Sequence, residues 1–461
     1  MRGVCGFVAL VLSLHLPAFA EERSAEQVRF RGIYQELVEI DTSKSNGDVT
    51  RAARAMAKHL TDAGMTTDEI ALVEPFPKKG NLIARLRGTG EKKPLLLVAH
   101  LDVVDAKRED WKTDPFKLVE QDGYFTARGS GDDKAMAAAF VSIVSHLQHE
   151  GFRPKRDIVL VLSADEEQGD IESNGIQWLV KNRRELIDAE LGINEGGGGE
   201  LRDGKPVLHR LQVAEKRYMS YQFEATNSGG HSSLPRVDNA IYDVGEALLR
   251  LRAHRFPVKL APVTKAYFAR SAPLASGQLA ADMQAMTTEM PDPAAVERLS
   301  ALPQYNAQLR TTCVATMLGG GHAENALPQS AKATVSCRLL PHDDVQEVED
   351  TLRAIAGDKV KVTALTHTVA SPASPLRDDV VQAVEAITQE MWPGVPVVPA
   401  MGTGATDSRF LRNIGVAMYG VSGIFVDPAD YRAHGRDERV EVQRVCEAHE
   451  FLYRLVKRLT E

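Results

Sequence analysis

Two kinds of hydrophobic spacing divide the chain. Short, nearly unbroken apolar runs ("NLIARLRG", "PLLLVAHLD", "DIVLVLSADEE", "AELGINEGG") alternate with stretches of helical period ("TRAARAMAKHLTDAG", "AMAAAFVSIVSHLQHEG", "IQWLVKNRREL"). Unbroken apolar strands are buried on both faces, so the alternation predicts an α/β fold with helices on both sides of a sheet. Near residue 212 the spacing changes. "RYMSYQFEAT" alternates polar and apolar positions, as a half-exposed strand does. A helix from Ala240 to His254, strands "TTCVATMLG" and "SAKATVSCRLL", helix "DVQEVEDTLRAIAG" and strand "KVKVTALTH" follow. That β-α-β-β-α-β order predicts a ferredoxin-like α+β module. Residues 255–310 read as a largely helical insertion within it. After residue 375 the α/β spacing resumes with "DVVQAVEAITQEMW", "VAMYGVS" and "RVCEAHEFLYRLVKRL". The expected plan is one α/β domain (21–212 and 371–461) interrupted by an α+β domain (213–370).

The first 20 residues stand apart. Arg2, an apolar run and Ala18-Phe19-Ala20 have the layout of a secretory signal peptide with an A-x-A cleavage site. Glu21 follows the cut, where a lipid-anchored start would need Cys. His15 and Pro17 interrupt the run, and no later stretch approaches the ~18 unbroken apolar residues of a membrane span. The protein is therefore expected to be exported, periplasmic or secreted, and off the membrane once cleaved.

Composition narrows the class. At 461 residues, with 43% hydrophobic and 26% charged residues, the chain can bury a large core. A net charge of -8 gives no reason to expect nucleic acid as a partner. Cys5 belongs to the leader, leaving Cys313, Cys337 and Cys446. Cys313 and Cys337 lie in neighbouring strand-like runs and are either bridged or buried free thiols.

Acidic and imidazole groups collect at strand ends. His100 and Asp102 follow "LLLVA", Asp132 and Asp133 sit in "ARGSGDDKA", Glu166 and Glu167 in "SADEEQGD", Glu195 in "GINEGGGGE", and His434 in "YRAHGRDERV". Ligands in open α/β sheets bind beyond the carboxyl ends of strands, so five segments converge on one crevice. Carboxylates gathered there repel one another, and cations resolve the conflict. Two imidazoles with three carboxylates suit a pair of divalent ions, zinc best, bridged by one carboxylate.

In combination, "HLDVV", "DGYFTARGSGDDKA", "ADEEQG", "NEGG", "GGHSSLP", "NALP" and "HGRDERV" resemble the M20 dizinc metallopeptidases. The "DDKA" and "NEGG" forms and the long insertion resemble the carboxypeptidase S and N-acyl-amino-acid hydrolase branch. The resemblance implies a zinc-peptidase-like catalytic domain with a mixed sheet sandwiched by helices and an inserted lid or dimerisation domain. It implies two Zn2+ per subunit, with Co2+ or Mn2+ as substitutes, held by His100, Asp132, Glu167, Glu195 and His434, Asp132 bridging. Asp102 supports His100, Glu166 is the general base, and a cis peptide is expected at Asp132–Asp133. His231 stabilises the developing oxyanion, often from a neighbouring subunit, which would need a homodimer through the lid; read from the residue alone it caps the next helix. Asn325, Arg338 and the loop carrying Gly404 and Thr406 would hold a substrate carboxylate, unless Arg338 serves an internal ion pair.

The implied activity is hydrolysis of the amide bond in short peptides or N-acyl amino acids with a free carboxylate. A deacylase dedicated to N-acyl amino acids is the alternative; an exported binding protein without turnover is the remote one.

Overall fold

The computed structural model describes residues 23–169 and 171–461. The expected leader, residues 1–20 with its cleavage site and Cys5, lies outside the described residues.

The apolar runs form the middle of a mixed sheet. Across it run Ile70–Val73, Asn81–Leu86, Ile158–Ser163, Leu95–His100, Leu191–Asn194, Ala417–Gly420, Lys205–Glu215, Gly198–Arg202 and Phe425–Val426, with Val397–Gly402 also on Lys205–Glu215. Ile158–Ser163, Leu95–His100, Leu191–Asn194 and Ala417–Gly420 are mutually parallel. Their unbroken hydrophobicity has a direct cause. Leu95, Leu97 and Ala99 pack into the core under helices Ala25–Val38, Lys134–His149 and Val442–Thr460, while Leu96 and Val98 face helices Gly175–Asn182 and Ser408–Asn413. With both faces covered, a polar residue in these strands would have no water to face.

The second sheet is antiparallel, in the order Thr312–Gly320, Ser330–Leu339, Arg217–Thr226, Lys361–Ala364. Helices Ala240–Ala253 and Val345–Ala356 share its core, which includes Phe223, Val335 and Leu352. Sequence order and spatial order together are those of a ferredoxin-like module. Helices Pro262–Ser271, Gly277–Ala285, Pro293–Ser300 and Pro303–Leu309 occupy the insertion and enclose a small core around Phe268, Met286 and Leu299. Cys313 and Cys337 face each other across adjacent strands and are bridged; Cys446 is free.

The sheets meet at a charged joint. Glu215 ends a central strand and Arg217 begins a strand of the second sheet, with Lys216 between them; Glu215 and Lys216 are fully buried. Lys216 Nζ donates to the Arg310 carbonyl at 2.8 Å, and Arg217 donates to the carbonyls of Val369 and Asp343.

Candidate active site

Parallel strands deliver most of the site. His100 is the last residue of its strand, Glu166 and Glu167 follow Ile158–Ser163, and Glu195 follows Leu191–Asn194. Asp132 and Asp133 precede helix Lys134–His149, whose N-terminal dipole favours negative charge. The peptide between them is cis, as the resemblance implies. His434 comes from the loop before Arg439–Glu441.

Asp132 stands between the two imidazoles. Its Oδ1 is 3.1 Å from His100 Nε2, and its Oδ2 is 3.2 Å from His434 Nε2. Glu195 Oε1 lies 3.9 Å from His100 Nε2, and Glu167 Oε1 lies 3.0 Å from His434 Nε2. Asp132 thus lies between His100, with Glu195 near it, and His434, with Glu167 near it. Ligand-capable atoms of His100, Asp132 and Glu167 all lie within 4.8 Å of one another, as do those of His100, Glu166 and Glu195. All five residues expected as ligands, and the expected base, are thus brought together.

Buried partners fix this arrangement. His100 Nδ1 donates to the main-chain carbonyl of Asp102 at 2.9 Å, which turns Nε2 toward the cluster. The Asp102 carboxylate, 3.8 Å from that ring, instead accepts the main-chain N–H groups of Glu166 and Glu167. Glu438 Oε1 accepts from the N–H groups of Gly131 and Asp132, and its other oxygen meets Arg128 at 2.6 Å. Asp165 is buried and tied to Lys79 and Ser173, each at 2.6 Å.

The electrostatics fit a cation site. Burial and then neighbouring Asp407 push the Glu166 carboxyl well up, with Glu167 adding to the rise; burial and then Glu166 do the same to Glu195. Burial would lower His100, but the hydrogen bond to Asp132 and the charges of Glu195 and Asp102 hold it well above its ordinary value. His434 is raised to about 10 by Asp132 and Glu167. Protein groups alone therefore balance the negative charge only by protonating imidazoles and carboxyls. Divalent cations would relieve the same charge, and a mixed imidazole–carboxylate donor set suits them.

A cleft of about 310 Å³ opens from the cluster. Glu166, Glu167 and His434 line one side; Tyr218, Arg338, Gly404 and Arg409 line the other. Tyr218 and Arg338 are register partners in the second sheet, which brings that sheet over the site. Among the described residues Arg338 has no carboxylate partner; its guanidinium lies 4.8 Å over the Tyr218 ring. Thr406 is turned inward, its N–H and hydroxyl both donating to buried Glu215 at 3.0 and 2.9 Å. His231 and Asn325 lie outside the cleft lining, exposed, on a short ribbon pairing Gly230–His231 with Ala326–Leu327. The helix after His231 is capped by Asn239, so the capping reading of His231 does not hold.

Sequence reasoning missed Arg409, Glu215 and Glu438. Arg409 Nη1 lies 3.9 Å from Glu166 Oε1 and donates to the Thr406 carbonyl at 2.8 Å. The available signals were slight: Glu438 sits inside "HGRDERV", and Glu215 begins a charged triplet within a strand pattern.

Residues 96–458 match peptidase family M20/M25/M40. The chain is 27% identical over 461 residues to human N-fatty-acyl-amino acid synthase/hydrolase PM20D1, covering 95% of this chain and 88% of that protein. It is 25% identical over 414 residues to carboxypeptidase S of Saccharomyces cerevisiae, covering 80% and 72%. Its fold is similar to the M20 family metallo-carboxypeptidase Sso-CP2 of Sulfolobus solfataricus, with a TM-score of 0.72, 17% identity and coverage of 94% and 99%. A dinuclear metal binding M20 peptidase of Bacillus subtilis matches with a TM-score of 0.60, 12% identity and coverage of 95% and 99%. The chain belongs to peptidase family M20/M25/M40 and is an enzyme acting on peptide or amide bonds.

Proposed function

We propose that the protein is an exported, dinuclear metal-dependent hydrolase that cleaves the amide bond of short peptides or N-acyl amino acids bearing a free carboxylate. The observation that carries this reading is Asp132, with one oxygen toward His100 and the other toward His434, and with Glu166 grouped with His100 and Glu195 beside it. Divalent ions there, zinc in our reading with Co2+ or Mn2+ as substitutes, would polarise the amide carbonyl and make a nearby water acidic at neutral pH.

The rest falls to side chains. Glu166 takes the proton of the attacking water and returns it to the leaving nitrogen. Burial raises its carboxyl, the direction a base working near neutral pH requires. Arg338 and the loop at Gly404 hold the substrate carboxylate, Arg338 through its planar fork. Thr406 supports that loop through Glu215. His231 and Asn325 reach a cleft only through lid closure or from a second copy, so we assign the 213–370 domain as lid and dimerisation domain. Among the described residues no helix is long and apolar enough to cross a membrane, and export rests on residues 1–20.

The test compares an N-acyl amino acid, the same compound as its C-terminal amide, and a dipeptide, before and after chelation of metal. Hydrolysis that needs both metal and the free carboxylate supports the reading. Equal turnover of the acid and its amide removes the role of Arg338 and Gly404, and turnover after complete chelation removes the metal.

A further inference from the structure

The helical insertion, residues 255–310, interrupts the second domain in sequence yet docks on the first. Helix Pro262–Ser271 packs along strand Val397–Gly402, and Val263 is buried in the core of the catalytic domain. Among the described residues that strand pairs only with Lys205–Glu215, so its other edge needs a cover. Pro399 in its middle has no N–H to donate, as suits an edge. Two of its carbonyls accept from the insertion: Val397 from Arg270 at 3.1 Å, and Met401 from Gln308 Nε2 at 3.0 Å. We propose that the insertion positions the loop at Gly404, with Gln308 as the positioning residue, so that selectivity for a free substrate carboxylate depends on a side chain outside the cleft; the inference rests on the carboxylate-binding role assigned to that loop above.

The loop is tied at both ends. At its start the Gly402 carbonyl accepts the main-chain N–H of Lys216 at 2.9 Å, beside the Met401 carbonyl held by Gln308. Lys216 Nζ in turn donates to the carbonyl of Arg310, the last residue of the insertion, at 2.8 Å. At the far end Thr406 gives both its donors to Glu215. Gly404 sits midway between these anchors, and it lines the cleft while Gln308 does not. The freedom of so short a loop is set by where its ends are held. A small displacement of the Met401–Gly402 end therefore moves Gly404 relative to Arg338, and binding groups misplaced by fractions of an ångström lose much of their effect.

Gln308 holds its place at a cost. Its Oε1 is buried and has no hydrogen-bond partner. An amide with one buried oxygen unpaired is less favourable there than an apolar side chain of similar size. Packing alone would be served better by Met or Leu. The group that sets Gln308 apart from them is Nε2, and Nε2 is spent on Met401. Arg270 provides the contrast. It binds the opposite end of the same strand, at Val397, and pairs with Glu385 of the catalytic domain, away from the loop.

The experiment uses the metal-loaded protein. It measures kcat and KM for an N-acyl amino acid, and kcat/KM for the same compound as its C-terminal amide, in wild type, Gln308→Met, Gln308→Ala and Arg270→Met. Circular dichroism and denaturant unfolding are followed for each. Gln308→Met should raise KM for the acid about tenfold, the worth of one hydrogen bond to a charged group, with kcat changed by less than about twofold. The acid-to-amide ratio of kcat/KM should fall by the same factor, and Gln308→Ala should move it in the same direction. Arg270→Met should leave the ratio unchanged whatever it does to stability. An unchanged KM in both Gln308 variants, or a loss shared equally by acid and amide, overturns the proposal, as does an equal fall of the ratio in Arg270→Met. A wild type that hydrolyses acid and amide equally sinks the carboxylate reading and this inference with it. A selective wild type with silent Gln308 variants sinks the inference alone.

Discussion

The carboxylate of Asp102 accepts the main-chain N–H of Glu166 at 3.1 Å, and its other oxygen accepts that of Glu167 at 3.1 Å. One buried side chain thus orients two adjacent acids to which we assign different roles, base and ligand. The same residue's carbonyl receives His100 Nδ1. Asp102→Ala should leave two buried N–H groups without acceptors and loosen the turn. We expect metal affinity to fall ~10–100-fold and kcat to fall with it. Asp102→Asn retains one acceptor oxygen and should lie between. Metal titration calorimetry beside steady-state kinetics checks the order; an alanine variant with unchanged affinity and kcat contradicts it.

Glu215 links the joint between the sheets to the loop at Gly404. It is fully buried, accepts both donors of Thr406, and forms an ion pair with Arg412 at 3.0 Å that lacks hydrogen-bond geometry. Glu215→Ala should cost about 3–5 kcal/mol of stability, because it strands a buried guanidinium. Glu215→Gln keeps an acceptor for Thr406 and should raise KM more than it lowers kcat. Unfolding curves and the split between KM and kcat are the readouts.

The Cys313–Cys337 bridge closes a 24-residue separation between adjacent strands. Chain-entropy arguments assign it about 3 kcal/mol. Cys313→Ala/Cys337→Ala should lose about that much in denaturant unfolding. With Cys446 as the remaining free thiol, the denatured, unreduced mature chain should titrate one thiol, and two if Cys5 is retained.

His209 is buried among the rings of Trp392, Phe425 and Phe451, and burial lowers its imidazole to about 3. Unfolded, it takes a proton below about 6.5. Between these values the unfolded chain binds more protons than the folded one. Its stabilising contribution is thus complete above about pH 6.5 and declines as pH falls toward 3, by at most about 1.4 kcal/mol per pH unit. Denaturant unfolding of wild type and His209→Gln from pH 7 to pH 4 should show a shallower decline in the variant.

The site was legible where chemistry sits at the ends of strongly patterned strands. His100, Glu166, Glu167 and Glu195 each end or follow an apolar run whose burial on both faces is written in its composition. Glu215 and Glu438 were not legible, because their roles depend on partners 191 and 310 residues away. The hairpin Gly198–Arg202/Lys205–Glu215 was also passed over. Its first strand opens in a glycine run, although Asp203-Gly204, both at positive φ, is a recognised two-residue turn. The cysteine alternatives were settled only by strand register, which spacing alone does not give.

The most direct test of the central claim is Glu166→Gln with its metal content measured. The account predicts that the variant keeps the same number of bound divalent ions as wild type, by elemental analysis. Its kcat on an N-acyl amino acid should fall by about 10²–10⁴. Turnover within tenfold of wild type at full metal occupancy would contradict Glu166 as the base, and with it the proposed mechanism.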